Sequence, residues 1–229
     1  MARNGVLVTR PEPGASETAR RLLALNRIPV LAPLLRIRAL GLAPPRGIGA
    51  ILVTSGNAIA SLPASLHGTP LLAVGNATAH RAQAAGFARV VSADGDAAAL
   101  AALTRQVCPP GTALLFATAR RQGAPLAAAL RAQGFVVHRR AVYAANRVAR
   151  MPPAAMQALQ DGSLTAAIFL SADTARAFVH LLPSQLLSAL AGIDALAIGE
   201  PAAEVLRVLP WRRVLVSAKP TQDSILALL

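Results

Sequence analysis

Internal disulfide chemistry is closed to this chain, because it carries a single cysteine, Cys108. A lone thiol also suits a reducing compartment. Aromatic residues make up only 3% of the 229 positions, so the core has to be built from Ala, Leu and Val. That scarcity (one Trp, one Tyr, five Phe) leaves too few rings for a base-stacking platform on single-stranded nucleic acid. No apolar run reaches the roughly 18–20 residues that a membrane helix needs. His67, His80, His138 and His180 lie at no metal-ligand spacing and have no cysteine company, so no metal site is expected. Gly-x-Gly-x-x-Gly and Gly-Lys-Ser/Thr loops are missing, as is a Gly-x-Ser-x-Gly elbow, which removes the usual sequence support for nucleotide binding and for a serine hydrolase.

Acids are also few. Ten Asp and Glu stand against 23 basic residues, all arginine except Lys219, and the net charge is +13. Such a balance first suggests nucleic acid. The arginines are scattered, however, and never as dense as in a basic tail. A compositional bias towards Ala, Arg and Pro accounts for the excess most simply; a polyanionic small substrate comes second and nucleic acid third. What is abundant is apolar surface: 54% of the residues are hydrophobic, ample for a folded core. The opening MARNGVLVTR runs straight into a strand-like stretch rather than a signal segment. The expectation is a cytoplasmic protein without membrane association.

Short apolar runs alternate with amphipathic segments, the pattern of α/β units and parallel sheets. Strands are expected at 6–9, 29–31, 50–53, 71–74, 90–92, 113–116, 136–139, 166–170, 195–198 and 213–216. They are continuously apolar, so helices should cover both faces. In ASETARRLLALN the helical period places Ala15, Ala19, Leu22 and Leu23 on one face. Ten strands are many for one sheet, and an internal repeat divides them. ILVTSGNAIASL at Ile51 resembles IFLSADTARAFV at Ile168, and LLAVGNATAHRAQAAGFARVVSA at Leu71 resembles ALAIGEPAAEVLRVLPWRRVLVSA at Ala195. LLRIRAL and HRRAVYAANR flank the first copy and alternate in character, as two exposed linker strands would. At each strand–turn–helix junction, near 54–58, 75–79, 171–174 and 199–202, unpaired N–H groups face outward, a setting for an anion. Asp94 and Asp96 read as a helix-start cluster.

In order and spacing these segments resemble the uroporphyrinogen-III synthase family over nearly the whole chain. The resemblance rests on VLVTRP, IPVLAPLLRI, VTSGNA, VGNATAHRAQAAGF, LRAQGFVVHRRAVYAA, LSADTARAF and SAKPTQDSILALL. Two departures stand out: Ala202 occupies a position where the family often has Thr, and Ala117-Thr118 replace a usual Arg-Gly pair, with Arg120 and Arg121 slightly later. The resemblance implies two similar parallel-sheet, flavodoxin-like α/β domains joined by a two-stranded linker. One domain would be discontinuous, 1–34 with 147–229, the other inserted at 39–139, and the linker strands would be 35–38 and 140–146.

It also implies a cofactor-free lyase, a monomer, of tetrapyrrole and heme biosynthesis. Such an enzyme cyclises hydroxymethylbilane, a linear tetrapyrrole with eight carboxylates, inverting its last ring through a spiro intermediate. The substrate closes unaided in the wrong sense, so the protein's task is geometric: to hold the chain so that the terminal ring attacks its substituted carbon, in a cleft that limits competing closure. The anions at the strand–helix junctions would then be acetate and propionate arms. Ligands in open parallel sheets sit beyond the carboxyl ends of the strands. The candidate substrate-binding residues there are Arg10, Thr54, Ser55, Asn57, Gly75, Thr78, Ser171, Gly199 and Thr221. Arg10 and Ser55 are the candidates for direct contact and Thr78 for capping its helix, and at each hydroxyl plain capping competes with ligand contact. By the same resemblance Tyr143 is the candidate general acid for departure of the substrate hydroxyl. An ordinary phenol, with a pKa of about 10, is protonated at neutral pH. The competing reading of Tyr143 is a packing side chain, and the competing function is a non-catalytic two-domain binding protein for an anionic metabolite.

Overall fold

The computed structural model describes residues 4–229. The first three residues of the opening MARNGVLVTR, which are also the first three of the expected 1–34 segment, lie outside the described residues. In chain order the strands are β1 (Gly5–Val8), β2 (Ile28–Leu31), β3 (Leu35–Ala39), β4 (Ala50–Val53), β5 (Leu71–Ala73), β6 (Val90–Ser92), β7 (Ala113–Ala119), β8 (Val136–Arg147), β9 (Leu164–Phe169), β10 (Asp194–Ala197) and β11 (Arg213–Val216). The α-helices are α1 (Gly14–Ala24), α2 (Asn76–Ala84), α3 (Ala97–Val107), α4 (Ala124–Ala132), α5 (Pro153–Gln160), α6 (Ala172–Leu181), α7 (Glu200–Leu206) and α8 (Gln222–Leu226). Short 3-10 helices occupy Gly56–Ser61, Ala64–Leu66 and Ser184–Gly192.

The chain divides into two compact units: Met1–Arg36 with Asn146–Leu229, and Ile37–Ala145. The sheet of the first unit has the order β11-β10-β9-β1-β2, every neighbouring pair parallel. The second sheet runs β3-β8-β7-β4-β5-β6, and from β8 to β6 its pairs are parallel. The apolar runs of β1, β4, β5 and β10 are buried throughout. Helices on both faces of a parallel sheet account for this. The edge strand β2 is partly exposed and tolerates Pro29, which can donate nothing to a further strand. The sequence pattern separates a strand at 136–139 from a linker strand; the structure joins them in the twelve-residue β8. Beside it, Leu40 N–H donates to Val142 O at 2.8 Å and Val148 N–H to Leu34 O at 3.0 Å.

In the second unit the core lies on both sides of the sheet. Leu52, Leu72, Leu100, Phe116 and Leu130 pack on one side; Ile51, Val53, Ile59, Phe87, Leu115 and Tyr143 pack on the other. Gly123 opens α4 with φ of 80°, and a Cβ there would lie 2.6 Å from the Phe116 ring, so both backbone and packing demand glycine. In the first unit Val6, Val8, Leu22, Ile168, Leu196 and Ile225 form one cluster. Phe169, Phe178 and Trp211 stack edge-on or tilted with centroids 5.2–5.8 Å apart.

The buried stripe of α1 is Gly14, Ala15, Thr18 and Leu22, which corrects one expectation: Leu23 is 59% exposed. One residue past Leu22 is about 100° further round the helix. Thr18 takes the apolar face instead because its hydroxyl is satisfied by Gly14 O at 3.1 Å.

Candidate functional site

Parallel strands end together, so each unit has one rim where strands pass into helices. In the first unit β1, β9, β10 and β11 deliver Arg10, Ser171, Gly199 and Thr221 to that rim. The connections leave β1 and β9 in opposite directions across the sheet, so the crevice for a ligand lies between these two strands. Thr9 closes its floor: the side chain is fully buried and donates to Ile168 O at 2.7 Å. Arg10, the next residue, is held by the helices around it. Its Nη1 donates to Thr18 Oγ1 and to Gln222 Oε1, both at 3.3 Å, and Gln222 Nε2 donates to Thr18 Oγ1 at 3.0 Å. A Cβ on Gly14 would lie 2.4 Å from Arg10 Nε, so glycine leaves the guanidinium room to cross the start of α1 in this position. Gln222 lies in the SAKPTQDSILALL segment, but only the fold brings it and Thr18 to Arg10.

The other first-unit candidates divide by how their helices begin. Ser171 caps α6, accepting Thr174 N–H at 3.1 Å, and Thr221 caps α8, accepting Ser224 N–H at 3.3 Å. Gly199 precedes α7 without a side-chain cap, but that helix has only seven residues, and its first-turn Glu200 is paired with Arg207. A carboxylate therefore already occupies the positive end of α7.

In the second unit β4, β5 and β7 bring Thr54, Ser55, Gly75, Arg120 and Arg121 to the rim, with the crevice between β4 and β7. Ser55 Oγ accepts the N–H of Asn57 at 3.3 Å and starts a 3-10 rather than an α-helix. Pro63 explains the brevity: it drives Leu62 into the extended region and ends the segment after one short run. Thr78 contradicts its expected capping role. The N-cap of α2 is Gly75, with no side-chain cap, and Thr78 sits inside the first turn with its side chain buried. Small residues at 75–79 leave that start without a capping side chain. Asp96 does cap α3, accepting from Ala98 and Ala99 N–H at 2.9 and 3.0 Å. Asp94 instead accepts Asn76 Nδ2 at 2.7 Å from the start of α2.

Tyr143 is only 5% exposed and packs in the second unit's core beside Val53, Ala117 and Val142. The register sets it opposite Ala119, and its carbonyl accepts Arg120 N–H at 2.9 Å. The backbone thus ties the tyrosine to the two rim arginines that follow β7, a link that sequence spacing does not reveal.

The strongest charge cluster lies at the opposite end of the first sheet, where β10 and β11 begin. Asp194, with a side chain 7% exposed, accepts Nε of Arg212 and Nη2 of Arg213, each at 2.6 Å. The Arg212 hydrogen bond above all, reinforced by Arg213, holds the Asp194 carboxyl far below the usual carboxylate range against the opposing effect of burial. This is a staple between strands, remote from the rim. Cys108 is a packing residue whose burial pushes its thiol up. No group of three or more metal-ligating side chains comes together among the described residues.

The family model for uroporphyrinogen-III synthase HemD matches residues 16–227. The chain belongs to the uroporphyrinogen-III synthase family. Two solved structures show the likeness of fold. Uroporphyrinogen-III synthetase from Helicobacter pylori is 19% identical with a TM-score of 0.62, the alignment covering 100% of this chain and 98% of that one. A mutant uroporphyrinogen III synthase from Thermus thermophilus is 20% identical with a TM-score of 0.51, covering 97% and 96%. No curated protein matches the chain. Membership of this family makes the chain an enzyme of tetrapyrrole biosynthesis and favours catalysis over simple metabolite binding. No helix among the described residues is long and apolar enough to cross a membrane.

Proposed function

We propose that the chain converts hydroxymethylbilane to uroporphyrinogen III, as a cofactor-free hydro-lyase that is monomeric and cytoplasmic, built as two flavodoxin-like domains with a two-stranded linker. The observation that carries this reading, beyond family membership, is the collection of the candidate anion-facing residues at the carboxyl-end rims of two parallel sheets. Each rim offers groups suited to carboxylates of the kind this substrate carries. In the first unit Arg10, oriented by Thr18 and Gln222, supplies a charge-assisted contact, and Ser171 and Thr221 add turns whose remaining N–H groups face the ligand. In the second unit Thr54, Ser55, Asn57 and the uncapped start at Gly75 do the same. Thr78, being buried, supports the turn from behind.

The chemistry asks for little more than a proton at the departing hydroxyl and a fixed geometry for ring attack. Of the Tyr143 side chain only the phenol hydroxyl exchanges a proton, while the ring is anchored in the core. Tyr143 is the proposed acid. A single experiment tests both statements: supply hydroxymethylbilane to wild type and Tyr143→Phe, and separate isomers I and III of the product. Wild type forms isomer III, and the variant forms it at least about tenfold more slowly with the same isomer preference. Isomer I alone, at the uncatalysed rate, overturns the function; unchanged kinetics in the variant remove Tyr143 from the mechanism.

A further inference from the structure

The net charge of +13 is unevenly held. Residues 37–145, the second unit, contain ten arginines and two acids, whereas residues 4–36 with 146–229 hold twelve basic residues and eight acids. In the first unit at least four of the eight acids stand in ion pairs: Arg21 with Asp223, Arg176 with Asp173, Arg207 with Glu200, and both Arg212 and Arg213 with Asp194. In the second unit both acids are engaged locally, Asp96 at its helix start and Asp94 with Asn76. Several arginines there are steadied by main-chain carbonyls instead. Arg139 Nη1 donates to Gln122 O at 2.7 Å, Arg140 Nη1 to Arg139 O at 3.3 Å, and Arg131 Nη2 to Val137 O at 2.8 Å. A carbonyl fixes a guanidinium without cancelling its charge.

The fold gathers half of these arginines at the β3-β8-β7 end of the second sheet. Arg120 and Arg121 follow β7; Arg139 and Arg140 lie on β8, in register with Phe116 and Ala117; and Arg38 lies on β3, next to β8 in the sheet. All five are exposed, and no acid lies within the three strands or the β7–α4 turn. Charge on an exposed edge strand also discourages sheet-to-sheet pairing, but that purpose needs no arginines on the inner strand β8 or after β7.

We infer that Arg38, Arg120, Arg121, Arg139 and Arg140 form a capture surface that draws a polycarboxylate towards the rim of the second unit, an inference that rests on the octacarboxylate substrate proposed above. A field of this kind acts on encounter: it raises association rates about 10-fold or more at low salt and fades as the screening length shortens. The probe is uroporphyrin III, the oxidised octacarboxylate, with association followed by stopped-flow fluorescence from about 20 mM to about 300 mM salt.

Two triple variants remove the same charge from different places. Arg120→Gln/Arg121→Gln/Arg140→Gln empties the patch; Arg46→Gln/Arg89→Gln/Arg105→Gln removes arginines away from the β7–β8 side. The expected result is association about tenfold slower at low salt, with a flattened salt dependence, in the patch variant only. Equal slowing of both triples means that net charge alone matters, and slowing of neither means that steering is absent; each overturns the inference. Should the patch triple fail to fold by circular dichroism, Arg38→Gln/Arg140→Gln carries the same comparison with a smaller slowing. Wild-type formation of isomer III alongside indifferent triples defeats the capture surface and leaves the function standing. Patch-dependent binding without isomer III defeats the function and retains a polycarboxylate surface.

Discussion

Five strands of each sheet share one arrangement, reached by different routes along the chain. The internal repeat pairs β4 with β9 and β5 with β10, and in both sheets these strands are neighbours, followed outward by β6 or β11. On the other side β7 then holds the place of β1, and β8 that of β2. The first sheet reads β2-β1-β9-β10-β11 and the second β8-β7-β4-β5-β6 with β3 added beyond β8, so the five shared places match in strand order and are circularly permuted in sequence. The helices after the equivalent strands open differently, α1 on an N-cap Pro13 with Gly14 under Arg10 and α4 on a left-handed N-cap Gly123 against Phe116. The difference in route shows that strand adjacency, set by apolar surface and turn chemistry, survives a change in which strand the chain enters first. The first unit is interrupted between β2 and β9 by the whole of the second.

The comparison breaks most readily in a core. Phe116 is fully buried in the second unit as Phe169 is in the first. Phe116→Ala should cost about 3–5 kcal/mol, read by chemical denaturation. Hydrogen exchange should locate the loosening in β4, β5 and β7 first, and loosening spread equally over β1 and β9 would show that the two units unfold as one.

A smaller effect separates the units electrostatically, because only the first holds a buried carboxylate between two arginines. Asp194→Asn should lower stability by about 2 kcal/mol at neutral pH. The sign follows from a folded-state carboxyl held below its unfolded value: the contribution is complete above the unfolded pKa of about 4 and disappears as pH falls through the folded value. Stability curves of wild type and variant should therefore converge only in strong acid. A constant gap down to pH about 2 would mean that Asp194 acts by packing rather than by charge.

The smallest effect concerns closure. The β1–β9 pairing joins Val8 to Ile168, while β4–β7 joins Ala50 to Leu114. On loop-closure entropy the longer span costs about 0.8 kcal/mol more. Amides of β4 and β7 should gain protection before those of β1 and β9 in pulse-labelled refolding. The reverse order would mean that local turn strength, not span, governs assembly.

Much of this was legible in the residues. Apolar runs such as Ile51-Leu52-Val53 and Leu71-Leu72 have no periodic alternative and mark buried parallel strands directly. Ser55, Ser171, Thr221 and Asp96 cap as their positions before helical segments suggest. Thr78 deceived because a threonine three residues after glycine fits a capping offset while its side chain is drawn into the core. Leu23 deceived because its spacing from Ala15 and Ala19 fits the helical period, when Thr18 had already filled the stripe. The Asp194 staple, the Gln222–Arg10 contact and the Arg120–Tyr143 link depend on register between distant strands and helices, which no local window contains. The permutation was hidden for the same reason: the repeat names equivalent strands, but only pairing reveals which strand stands beside them.

The central claim is that this chain decides which carbon the terminal pyrrole ring attacks. Its most direct measurement is the ratio of isomer I to isomer III formed from hydroxymethylbilane as protein concentration is raised at fixed substrate. The account predicts that the ratio falls towards zero as the catalysed route outruns spontaneous closure. A ratio that stays constant, with isomer I dominant at every concentration, would contradict it.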